Sequence, residues 1–81
     1  MRMVKPIEAI YHDGRVKQCP RQEFRILDDW LKMRAESGTH AYVVELADPA
    51  GWGACFVREE GDILKEYADK DTARVAARIS R

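Results

Sequence analysis

Hydrophobic positions recur along this chain with two periods, and the change from one to the other divides it into elements. Between Cys19 and Gly38 the spacing is helical. Phe24, Leu27, Leu31 and Ala35 make one stripe, and Ile26, Trp30 and Met33 make a second stripe beside it, about 100° from the first. Pro20 suits a first helical position, where its missing N–H is not needed. Gln22 and Glu23 suit the positive end of the helix dipole, and Gly38 supplies a left-handed stop. A helix of about four turns is predicted here, with more apolar circumference than one sheet face covers.

On either side of that stretch the period drops to two. Ile7, Ala9 and Tyr11 share one face of a first strand, Asp13 and Gly14 form a tight two-residue turn, and Val16 to Cys19 return as a second strand, the hairpin confined by Pro6 and Pro20. Ala41 to Leu46 is a β-branched third strand ended by the turn residues Asp48 to Gly51. Trp52 to Arg58 and Ile63 to Ala68 follow as fourth and fifth strands, separated by a turn over Glu59 to Asp62. The last segment opens on Asp69 and Asp71, which can accept from unpaired helix N–H groups, and continues in good helix formers. Thr72, Val75, Ala76 and Ile79 fall on one side of it. The predicted order is ββαβββα, an α+β fold with a largely antiparallel sheet of about five strands. Both helices are expected on one face, and the crossover through the first helix allows one parallel pair.

With 81 residues, of which 46% are hydrophobic and 35% charged, the chain is expected to form a single compact domain spanning 1–81. Fourteen basic side chains balance fourteen acidic ones, which argues against a generic polyanion binder. The charge is unevenly spread, however. Residues 45–71 carry eight acidic and three basic side chains, whereas residues 72–81 carry three basic and no acidic ones. The opening Met1 to Pro6 lacks the apolar run of a signal peptide, so a cytoplasmic protein is expected. Cys19 and Cys55 are far apart and form no CxxC; two reduced thiols are expected, a disulfide being the alternative.

The soft metal ligands are His12, Cys19, His40 and Cys55. Their spacings of seven, twenty-one and fifteen residues include no short knuckle, so neither a metal nor any other cofactor is expected. Asp28 and Asp29 point about 100° apart on a helix and cannot converge on one bond. No nucleophile elbow, phosphate-binding glycine loop, dinucleotide fingerprint or zincin motif occurs. The chain is therefore not expected to be an enzyme. Catalysis would require His12 or His40 within hydrogen-bond reach of a cysteine or carboxylate in a concave pocket.

Lys70, Arg74, Arg78 and Arg81 recur at helical spacing and form a basic strip on the final helix. The run Lys70-Asp-Thr-Ala-Arg-Val-Ala-Ala is similar to the Lys-Lys-x-Ala-Lys-x-x-Ala motif of double-stranded-RNA-binding domains, whose α-β-β-β-α order the chain also resembles from Pro20 onward. That resemblance implies phosphate contacts from Lys70 and Arg74 across a major groove. Asp71 stands where the family has a lysine, and the turn from Asp48 to Gly51 lacks its Gly-Pro and His signature.

The expected function is that of a small non-catalytic binding protein, of adaptor or inhibitor type or an accessory protein of a mobile element. It would dock onto a larger protein or onto a second copy, without membrane or small-molecule substrate. Ile26, Trp30, Met33, Arg34 and Trp52 are the expected anchors, because Trp, Met and Arg are enriched at interface centres. Nucleic-acid binding through Lys70, Arg74, Arg78 and Arg81 is the alternative.

Overall fold

The computed structural model describes residues 2–19, 23–25 and 38–79. Its strands are β1 (Met3–Tyr11), β2 (Val16–Gln18), β3 (Phe24–Arg25), β4 (Thr39–Ala47), β5 (Gly51–Phe56) and β6 (Ile63–Tyr67); one helix, α1 (Lys70–Ile79), follows. The fold is α+β. Five strands run in the order β2-β1-β4-β5-β6, and the short β3 pairs with β1 off that path. Every pairing among them is antiparallel, so the parallel pair expected from a crossover is absent among the described strands. The predicted helix from Pro20 to Gly38 gives way at Phe24 and Arg25, whose backbone pairs with Val4 and Met3 instead. Its remaining stripe positions, Ile26, Leu27, Trp30, Leu31, Met33 and Ala35, lie outside the described residues.

Strand β1 is longer than its pattern suggested, because Pro6 sits inside it rather than before it. Proline lacks a ladder donor and is tolerated in strands at irregularities. Here it falls between the segment that pairs with β3 and the segment that pairs with β2, beside a register shift. Pro6 opposes Val44 and Glu8 opposes Val43, which leaves Ile7 as an extra residue. The bulge inverts the alternation, so Val4 joins Ala9 and Tyr11 on one face although their numbers differ in parity.

The sheet is apolar on both sides. Val4, Ala9, Tyr11, Tyr42, Val44, Leu46 and Cys55 form one cluster, against which Cys19 also packs; Cys19 and Cys55 are both thiols. Ile10, Ala41, Val43, Ala54 and Phe56 form the other cluster, together with Ala73 and Ala77 of α1. Burial on both faces is why Ala41 to Leu46 reads as a nearly continuous apolar run instead of a clean alternation.

Asp69 starts the helix. Its carboxylate accepts from the Thr72 N–H at 2.8 Å and its carbonyl from the Ala73 N–H at 3.2 Å, as expected of a capping residue. The Thr72 N–H also holds the Asp69 carboxyl below its ordinary value. The buried face of α1 differs from the predicted one. Ala73 and Ala77 are fully enclosed, whereas Val75 is 56% and Ile79 73% exposed. Small side chains let the helix axis approach the sheet closely, and that approach turns the bulkier residues outward.

The β1–β2 loop is also wider than predicted. Tyr11 N–H donates to Arg15 O at 2.9 Å and Gly14 N–H to Tyr11 O at 2.9 Å, enclosing His12, Asp13 and Gly14. Gly14 has φ 91°, the left-handed residue that three-residue hairpin loops require. Asp13 braces the loop by accepting from Arg15 N–H at 3.0 Å and Arg15 Nε at 2.8 Å, and the backbone bond holds its carboxyl below the ordinary value.

Candidate functional site

The rotation of α1 decides what its basic strip can do. Lys70 places Nζ 5.7 Å from the centroid of Trp52 on β5, a cation–π contact between two of the candidate site residues. One turn further on, Arg74 reaches β1. Its Nε donates to Glu8 Oε1 and its Nη2 to Glu8 Oε2, each at 2.8 Å. This two-pronged arrangement uses the planar fork of the guanidinium fully. Glu8 is only 5% exposed, and Gln18 Nε2 donates to its Oε2 at 3.2 Å. The Arg74 hydrogen bonds hold the Glu8 carboxyl below its ordinary value despite burial, and Glu8 in turn raises Arg74. Arg74 Nη1 also lies 3.6 Å from Asp71.

Two cations that the resemblance would turn toward phosphates are thus engaged within the chain. Arg81 lies outside the described residues, as do Ile26, Trp30, Met33 and Arg34. Trp52, the remaining expected anchor, is half-buried in β5 and packs against the cluster beneath α1.

Arg78 stands apart. Among the described residues it has no carboxylate partner, and it lines a cleft of about 320 Å³ with Ile10, Tyr11, His12, Gly14 and His40. Sequence spacing separated the two histidines, yet their ring centroids lie 5.2 Å apart at an interplanar angle of 58°. A second bulge brings them together. Ile10 opposes Ala41 and Tyr11 opposes Thr39, so His40 is the extra residue on β4. Its ring meets Phe56 edge-on at 6.1 Å, and its carbonyl accepts from Val57 N–H at 3.0 Å. His12 is anchored from the other side by donating its N–H to Gly38 O at 2.9 Å. Gly38 has φ 87°, and residues 26–37, the stretch it was expected to stop as a helix, lie outside the described residues. Bulges are used elsewhere to re-aim a side chain next to a site, and nothing in the spacing of residues 12 and 40 announces this one.

The lining is rich in donors. It contains two imidazoles, a guanidinium and a phenol, and neither a carboxylate nor a thiol. Among the described residues no group of three His, Cys, Asp or Glu is placed to hold a metal ion. No described helix is long and apolar enough to cross a membrane. Comparison with protein-family models, with curated proteins and with solved structures finds no match to this chain.

Proposed function

We propose that the chain is a small non-catalytic binding protein that docks, through the outer face of α1, onto a larger protein. The observation that carries this reading is the exposure of Val75 and Ile79, one turn apart on a helix whose buried residues are Ala73 and Ala77. Adjacent apolar side chains at i and i+4 form a natural anchor for an apolar groove. The acidic segment that precedes them in the chain supports a particular kind of partner. Asp69 and Asp71 lie in or before the first turn of α1, Asp71 3.6 Å from Arg74, Glu66 on β6 is paired with Arg2, and Glu59 and Glu60 are exposed on the turn before β6. The partner fitting this face presents an apolar groove with a basic rim, toward which the acidic segment steers it. Lys17 on β2 and Lys65 and Glu66 on β6 are charges that discourage edge-to-edge pairing of the sheet, so a second copy is not expected to add through the strands. Nucleic-acid binding through α1 is the weaker reading, since Arg74 would first have to leave Glu8.

The test compares capture of partners by the wild-type chain and by a Val75→Asp, Ile79→Asp variant whose fold is checked by circular dichroism. A specific protein retained by the former and lost from the latter supports the reading. Capture that is indifferent to the two substitutions, or a dimer in solution that they dissociate, overturns it.

A further inference from the structure

We infer that the cleft between His12, His40 and Arg78 binds the phosphate group of a small phosphate monoester. Three observations converge on an anion. Arg78 has neither a carboxylate nor an aromatic face among the described residues, while Lys70 lies over Trp52 and Arg74 is clamped by Glu8. The bulge at His40 sets a buried imidazole, only 7% exposed, beside the imidazole of His12 on the opposite wall. The remaining lining, Ile10, Tyr11 and Gly14, brings no negative charge.

The nearest carboxylate in sequence is Asp13, and it is already held by Arg15 N–H and Nε. Arg15, which lies over the Tyr11 ring at 4.7 Å, is neutralised by the same pair, so the charge facing the cleft is that of Arg78. The C-terminal end of α1 opposes an anion with a partial negative charge, which the full charge of Arg78 outweighs.

A transition metal is the obvious competitor for two imidazoles at this separation. It would need a third ligand, which the lining does not offer, and it would sit against a permanent guanidinium charge. An oxyanion uses the same three groups as donors. A volume of about 320 Å³ falls at the small end of ligand pockets, enough for a phosphate with a compact organic group against Ile10 and the Tyr11 ring.

The experiment titrates the full chain with inorganic phosphate and with glycerol 3-phosphate, following the imidazole resonances by NMR. His12 and His40 are expected to shift together and saturate, glycerol 3-phosphate binding at least as tightly as phosphate. Arg78→Gln is expected to weaken binding about tenfold, as loss of one charge-assisted contact implies. His12→Gln, an exposed loop substitution, provides a second variant with the same expectation. Absence of saturable shifts overturns the inference. So does equal affinity in Arg78→Gln and wild type, or saturation of both imidazoles by zinc ions with no response to phosphate. The Val75→Asp, Ile79→Asp variant keeps the cleft intact, so failure of the docking reading and failure of this one are separable.

Discussion

Arg74 on the C-terminal helix and Glu8 on the first strand, 66 positions apart, share two parallel hydrogen bonds of 2.8 Å. The pair ties α1 to β1, a strand outside the β4, β5 and β6 surface on which the helix chiefly rests. It therefore joins the two ends of the described chain across the sheet. It also sets the direction in which acid acts on stability.

Glu8 has its folded carboxyl value lowered below 4.5, first by the Arg74 hydrogen bonds. A depressed carboxylate contributes stability above its unfolded value and loses it as the pH falls through the folded value. Denaturant midpoints are accordingly expected to decline from pH 5 downward. In Arg74→Met the carboxylate is buried without its main partner, so the midpoint at pH 7 falls and the acid dependence becomes shallower. Equal acid slopes in the two proteins would show that Glu8 does not hold this role.

Gly53 tests the close approach of β5 and β6. A Cβ built there would lie 2.8 Å from the Lys65 carbonyl oxygen, a backbone atom that cannot step aside, and 3.2 Å from Leu64 Cδ1. Gly53→Ala is expected to destabilise by about 1–3 kcal/mol, the usual range for overpacking. Gly51→Ala, which would meet only the end of the Arg2 side chain, should cost less. Urea unfolding of both variants checks the ordering.

Lys70 over Trp52 provides a smaller effect that fluorescence can read. Replacing Lys70 with Met removes the cation from the indole face and should cost about 0.5–1 kcal/mol, typical of such a contact near the surface. The Trp52 emission should shift, and a Trp52→Phe background should abolish that shift. A stability loss without any emission change would assign the effect of Lys70 elsewhere.

Much of the strand pattern was legible because it rests on local chemistry. Asp48 to Gly51, Glu59 to Asp62 and the loop at Gly14 are turn-forming residues between apolar runs, and Asp69 is a capping residue before helix formers. The hidden parts come from non-local pairing. The bulges at Ile7 and His40 depend on how β1 registers against β4, and a one-residue shift reverses which side chains share a face. This is why Pro6 could sit inside a strand, and why His12 and His40 read as unrelated residues although their rings nearly touch. Arg74 reads as one member of a basic strip for the same reason, since Glu8 is distant in sequence and only the fold sets them opposite one another.

The orientation of α1 is the sharpest departure from the pattern, because a periodicity argument weights Val75 and Ile79 above alanine. The opposite arrangement holds: Ala73 and Ala77 have no exposed surface and sit among Ile10, Ala41, Val43, Ala54 and Phe56. A buried alanine between a helix and a sheet has no room to grow, so Ala77→Leu should destabilise by about 1–3 kcal/mol. Ile79→Gln, on the exposed side, should change stability by no more than about 0.5 kcal/mol. Had the helix docked through Val75 and Ile79, the ranking would invert, with the glutamine substitution costing most and leucine at position 77 tolerated. Thermal and urea unfolding of the two single variants therefore decides which face of the helix holds the sheet. The same measurement bears on whether Val75 and Ile79 are available to a partner at all.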